Sequence, residues 1–191
     1  MKHALISVYN KIGIVDFAKE LEKMGFNIIS TGGTLKKLKD GGIKHIKHVS
    51  EVTNFPEILE GRIKTEHPKL IGGILVQRNH KYMKEIERLQ IDPIDLVVCN
   101  FYPFAKIVKQ GATLKTALKN IDIGGPNMIR AGAKNFENVI VIVNPQRYSQ
   151  VLEEYKKNGD LSSKTRKALA VEAFKETAQY DKIIYRFLKR M

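Results

Sequence analysis

A chain of 191 residues, 43% hydrophobic and 28% charged, is long enough for one domain with a real core and ordinary in composition for a globular protein. No apolar run reaches the length of a membrane span, the N-terminus turns polar too early for a signal peptide, and the single cysteine excludes an internal disulfide, so a reduced, cytoplasmic protein is expected. The net charge of +13 comes from basic residues dispersed among acids, with no like-charge block and no interleaved aromatics, so neither a membrane nor a specific nucleic acid is expected as partner.

The apolar run Ala4 to Val8 predicts a strand, followed by a turn at Tyr9-Asn10-Lys11. Ile14, Phe17, Ala18, Leu21 and Met24 share one helical face, and Gly25 ends that helix. Phe26 to Ile29 reads as a second strand, Leu35 to Gly41 as a second helix, and Ile43 to Val49 as a third strand. This βαβαβ order predicts a parallel sheet with right-handed crossovers. Further on, a helical turn is expected near Pro56 to Leu59, a basic loop over Gly61 to Gly73, and a short strand over Ile74 to Gln77. Asn79 caps a helix to about Gln90. Ile94 to Asn100 is a buried strand, Phe104 to Gln110 and Leu114 to Asn120 are helical, and Val139 to Val143 is the last strand. Helices follow over Gln146 to Asn158 and from Ser162-Ser163 to nearly the end. One domain over residues 1–191 is expected, without internal repeat or linker.

Four stretches carry candidate chemistry. Thr31-Gly32-Gly33-Thr34 joins a strand to a helix, where glycines let backbone N–H groups approach an anion and the helix N-terminus favours negative charge. It lacks both the GxGxxG pattern and a Walker lysine, so a mononucleotide phosphate suits it, with Lys11 at the same sheet edge. A plain turn with a threonine cap accounts for the same residues. Gly61 to Lys69 gathers Arg62, Lys64, His67 and Lys69, where Arg62 can grip a phosphate or carboxamide oxygen and Lys64 a developing oxyanion. A solvated basic loop is the alternative. Asn100-Phe101-Tyr102-Pro103 follows the buried strand; Asn100 can read an amide edge and Tyr102 can donate a hydrogen bond, or the segment simply caps the strand. In Ile121 to Asn135, read IDIGGPNMIRAGAKN, Asp122 precedes a glycine turn, Pro126 suits a first helical residue, and Lys134 lies near the helix's far end. A turn plus about two helical turns leaves open whether Asp122 and Lys134 meet at one pocket.

These stretches resemble, in order and at similar spacings, the signatures of IMP cyclohydrolase, the N-terminal half of the bifunctional AICAR transformylase/IMP cyclohydrolase. The resemblance covers essentially the whole chain. It implies an α/β three-layer sandwich with a mainly parallel central sheet of the methylglyoxal-synthase-like kind, C-terminal helices, and usually a homodimer. It implies ring closure of FAICAR (5-formamidoimidazole-4-carboxamide ribotide) to IMP without metal or other cofactor. Lys64 would hold the formyl oxyanion beside Tyr102, and Asp122 with Lys134 would orient and deprotonate the carboxamide. Lys11, Thr31, Gly32, Gly33 and Thr34 would hold the 5′-phosphate, while Arg62, Thr65, Cys99, Asn100 and Ile123 would line base and ribose.

The chain departs from that pattern at Tyr9, where a serine is usual, at Glu66, where leucine is usual, and at Ile71, where histidine is usual. The transformylase half is absent from these 191 residues, so either a separate AICAR-formylating enzyme supplies FAICAR or the chain is a fragment of the bifunctional protein. The alternatives are a non-catalytic nucleotide-binding regulatory domain of the same fold and a methylglyoxal synthase, which lacks the IDIGG…AKN signature.

Overall fold

The computed structural model describes residues 1–61 and 63–190. In chain order the elements are β1 (Lys2–Val8), α1 (Ile14–Lys23), β2 (Phe26–Ser30), α2 (Gly32–Asp40), β3 (Ile46–His48), α3 (Val49–Thr53), α4 (Pro68–Leu75) and α5 (His80–Arg88). They continue with β4 (Leu96–Asn100), α6 (Phe104–Lys109), α7 (Leu114–Lys119), α8 (Gly124–Lys134), β5 (Ile140–Ile142), α9 (Tyr148–Asn158) and α10 (Ser163–Leu188). The strands form one sheet in the order β3-β2-β1-β4-β5, and every pairing is parallel.

Side chains alternate across the sheet, so each strand feeds two cores. Ala4, Ile6 and Val8 face Phe17, Leu21, Leu38 and Val151 of α1, α2 and α9. Leu5, Ile29, Val97 and Cys99 face Leu70, Ile74, Met128, Ile129 and Ala173 of α4, α8 and α10. Burial on both faces explains why β4 reads Leu96-Val97-Val98-Cys99 without a polar break. Each large side chain buried this way, such as Phe17 or Ile129, contributes about 1.5–3 kcal/mol. The three-layer α/β sandwich is therefore present, and its sheet is parallel throughout.

Three expected elements differ. Residues 74–77 are not a strand: α4 runs from Pro68 to Leu75. The ring of His67 accepts the Lys69 N–H at 3.2 Å and Pro68 takes the first position, which starts this helix. Gly73, taken for a loop glycine, is a packing glycine, since a Cβ there would lie 2.5 Å from the Asp92 carbonyl oxygen. The third strand shrinks to Ile46–His48 because His48 caps α3, accepting the Ser50 N–H while the Glu51 carboxylate accepts the His48 N–H at 2.7 Å. The helical turn near Pro56 to Leu59 is replaced by an Ile58–Ile63 bridge with Leu59, Glu60 and Gly61 at positive φ.

Among the described residues, no helix is long and apolar enough to cross a membrane. The chain leaves β1 for β2 and β3 on one side and returns for β4 and β5 on the other. Side-by-side β1 and β4 thus form the switch point of the sheet, where connections diverge and leave a crevice at the carboxyl ends of the strands.

Candidate active site

The crevice is a cleft of about 680 Å³, within the usual size range of small-molecule sites. Its floor is the register pair Ser7–Cys99 and Val8–Asn100 at the ends of β1 and β4. Its walls come from the turn after β1, the start of α2, the loop before α4, the segment after β4, the end of α7 and the start of α8.

At one end lies the N-terminus of α2. No side chain caps this helix, and Thr31 is extended at φ −122°. Gly32 has φ +36°, a left-handed conformation that favours glycine. The Thr31 hydroxyl pairs with Ser7 Oγ at 2.7 Å, and Thr34 Oγ1 both accepts the Val8 N–H and donates to the Val8 carbonyl, each at 3.0 Å. These bonds fasten the start of α2 to the end of β1, so the Thr34 hydroxyl is a fastener before it is a ligand contact. The Lys11 ammonium is folded back on the Tyr9 carbonyl at 3.2 Å, and its stem passes 3.9 Å from the position of a Cβ on Gly33. A helix N-terminus with a lysine beside it suits an anion such as phosphate. Lys11, Thr31, Gly33 and Thr34 line the cleft directly, and Gly32 adjoins them on its exposed side.

The middle of the cleft is held by Asn100 and Tyr102. The Asn100 side chain accepts the Asn10 N–H at 2.7 Å and donates to the Asn10 carbonyl at 3.2 Å, pinning the turn that carries Lys11. Tyr102, 45% exposed, leans on Tyr9 with ring centroids 4.7 Å apart. Tyr9, read as the loss of a serine, thus supports Tyr102. Cys99 is buried beneath; burial, and then the charge of Asp122, push its thiol well above the ordinary range.

The other end joins the loop before α4 to the start of α8. The Ile58–Ile63 bridge presents half-buried Lys64 and buried Thr65 to the cleft. Asp122 Oδ1 accepts the Gly125 N–H at 2.9 Å, placing the carboxylate at the positive end of α8. The backbone N–H of Asp122 donates to the Tyr180 hydroxyl of α10 at 2.8 Å. Gly124 and Gly125 are required by contact: a Cβ on Gly124 would lie 2.4 Å from Thr65 Oγ1 and 2.7 Å from Glu66 Oε1, and one on Gly125 would lie 2.8 Å from Asp122 Oδ2. The Glu60 carboxylate and the Lys119 ammonium, 3.7 Å apart, also line this end.

Twelve of the predicted site residues are described around this cleft or its rim: Lys64, Tyr102, Asp122, Lys11, Thr31, Gly32, Gly33, Thr34, Thr65, Cys99, Asn100 and Ile123. Arg62 lies outside the described residues. Lys134 is the exception. Asp122 precedes α8 and Lys134 is its last residue, so the whole helix from Gly124 to Lys134 separates them, a rise of about 15 Å. Within one copy of the chain the two side chains do not share the cleft, because the helix is three turns long and leads away from the strand ends. Three contributors went unread in the sequence. Ser7 is ordinary strand serine until its register with Cys99 is known. Tyr180 carries no local signal in the sequence that sets it apart from the chain's other tyrosines. Glu66 showed only as an unusual residue in a motif.

Residues 13–127 match the family model of the MGS-like domain, and residues 132–191 match that of the AICARFT/IMPCHase bienzyme. The chain is 52% identical over 184 residues to the bifunctional purine biosynthesis protein PurH of Persephonella marina, covering 96% of this chain and 36% of that protein. It is 51% identical over 191 residues to PurH of Acetivibrio thermocellus, covering 99% and 37%. It therefore spans little more than a third of the length of these curated relatives. The crystal structure of ForH superposes with a TM-score of 0.88 at 30% identity, covering 99% of this chain and 97% of that one. With matching sequence over residues 13–127 and a matching fold end to end, the chain belongs to the MGS-like domain family.

Proposed function

We propose that this cleft is an IMP cyclohydrolase site, closing FAICAR to IMP with loss of water in the last step of de novo purine synthesis. The observation that carries the proposal is the convergence of an anion-binding helix end with Lys64, Tyr102 and Asp122 in one cleft at the sheet's switch point. The likeness of nearly the whole of this chain to about a third of the bifunctional purine biosynthesis proteins supports it.

In this reading the 5′-phosphate sits against the N-H groups of Gly32 and Gly33, with Lys11 closing over it. The ribose and imidazole extend past Asn100, Cys99, Thr65 and Ile123. Anchoring the phosphate and walling the ring hold the formyl and carboxamide groups together, an entropic and orientational gain. The carboxamide nitrogen attacks the formyl carbon and loses a proton to the Asp122 carboxylate, while the formyl oxygen becomes an oxyanion beside the Lys64 ammonium. Tyr102 donates to the same oxygen. Asp122 returns its proton to that oxygen, and the C–O bond breaks as the former formamide nitrogen gives up its own proton, so the oxygen leaves with two protons as water and a C=N bond completes the six-membered ring. Lys134 has no direct part in these steps within a protomer. FAICAR is supplied by a preceding formyl transfer to AICAR, and the working unit is a homodimer.

Absorbance at the purine band after adding FAICAR tests the reading: wild-type turnover supports it, and no turnover rejects it in favour of a nucleotide-binding regulatory domain. Production of methylglyoxal from a triose phosphate would favour the synthase instead. Calorimetry tests the phosphate end: IMP should bind far more tightly than inosine, and Gly33→Val should abolish most of that difference. Equal binding of nucleotide and nucleoside would sink the assignment of the helix end.

A further inference from the structure

Glu66 has a carboxylate that the steps above leave without a task. It lines the cleft between Lys64 and the start of α8. Its Oε1 accepts one long hydrogen bond, from Thr65 Oγ1 at 3.3 Å. Its Oε2 is closed off from solvent, and among the described residues no group donates to it. The group rests against Gly124, whose missing Cβ makes room for Oε1. A carboxylate accepts up to about four hydrogen bonds, and a buried one is matched with donors in nearly all structures. The last torsion of a glutamate side chain is soft and nearly two-fold, so either oxygen can turn to the cleft. Asp122 lies across Gly124-Gly125 and is already an acceptor for the Gly125 N–H. Two acceptors at the end of the cleft remote from Lys11 call for a ligand edge that carries N–H groups.

We infer that Glu66 is a specificity residue of this site, accepting an N–H from the amide edge of the bound base: the carboxamide of the open substrate and N1–H of the closed lactam. The inference rests on the cyclohydrolase reading. A carboxylate accepting one carboxamide proton fixes the plane of that group and leaves its nitrogen facing the formyl carbon. A base whose edge offers no N–H leaves Glu66 buried and unmatched, and is rejected for that reason.

The test compares IMP with purine riboside 5′-monophosphate, which keeps the ribose phosphate but has no N1–H and no 6-oxo group. Calorimetry on wild type, Glu66→Leu and Glu66→Gln gives the preference for IMP in each. The preference should fall about tenfold or more in Glu66→Leu and by less in Glu66→Gln, whose amide oxygen still accepts. Ribose 5-phosphate should bind all three equally, showing an intact fold and phosphate end. Should Glu66→Leu not fold, Glu66→Met, which keeps the length of the side chain and removes its acceptors, decides instead, and an unchanged preference there overturns the role. FAICAR turnover by wild type separates the two claims. Turnover with an unchanged preference in the variants overturns the role of Glu66 only; absence of turnover and of IMP binding in wild type overturns the cyclohydrolase reading and this role with it.

Discussion

The Tyr180 hydroxyl, on the final long helix, accepts the backbone N–H of Asp122 at 2.8 Å. Tyr180 is itself buried, with its ring tilted against Phe101 at 4.9 Å. The bond ties the turn carrying Asp122 to α10 and to the segment after β4, so three remote parts of the chain fix one carboxylate. Burial is the main cause that pushes the Tyr180 phenol above its ordinary range, so it stays a neutral partner for that N–H at physiological pH.

Tyr180→Phe should therefore loosen Asp122 without touching the phosphate end. The orphaned N–H should cost about 1–3 kcal/mol of stability, read from urea unfolding. Turnover on FAICAR should fall by about tenfold while IMP affinity changes little, as expected when positioning for the transition state is lost. Unchanged turnover would show that Asp122 is held by its own turn.

Within one copy of the chain, Asp122 and Lys134 sit before and at the end of α8, too far apart for their side chains to meet. The losses from Asp122→Asn and Lys134→Ala should multiply in the double variant. Asp122→Asn alone should lose about a hundredfold in kcat, the usual range for a general base. A double variant no worse than the poorer single would mean that the two meet after all, and steady-state rates decide it.

The glycines of the site separate contact from flexibility. Gly124→Ala would drive a methyl into Thr65 Oγ1 and the Glu66 carboxylate, and should cost about 1–3 kcal/mol together with turnover. Gly72→Ala, inside α4 and with only an ordinary contact to Ile91 at 3.6 Å, should gain about 0.4–1 kcal/mol from reduced chain entropy and leave turnover unchanged. Thermal unfolding and FAICAR assays on the pair check both signs.

Alkaline pH should weaken the fold from its buried thiol. Cys99 is raised well above its ordinary 9.0, first by burial and then by Asp122. Above about pH 9 the unfolded chain releases this proton while the folded one keeps it, so stability falls as pH rises toward the folded value. Tyr148, raised by burial, adds to the same trend at higher pH. Urea midpoints should decline beyond pH 9, with a shallower decline in Cys99→Ala, and folded Cys99 should resist alkylation at neutral pH. Rapid alkylation of the native protein would contradict the burial.

Much of this molecule is local in origin and was therefore readable. Short apolar runs gave the strands, a periodicity of about 3.6 residues gave most helices, and the βαβ order gave a parallel sheet, because such patterning is a property of neighbouring residues. The glycines that open α2 and the Asp122 turn before α8 were visible for the same reason. Residues 74–77 were misread because Gly72 and Gly73 look like breakers locally, while Gly73 is there to let α4 lie against the Asp92 carbonyl. The separation of Asp122 from Lys134 depended on the length and direction of α8, which spacing alone left open. Only the packed chain brought Tyr180 under Asp122 and set Glu66 against Gly124, contacts 58 residues apart in sequence. Such pairings have no periodic signature, because they arise when separate elements dock on the two faces of one sheet.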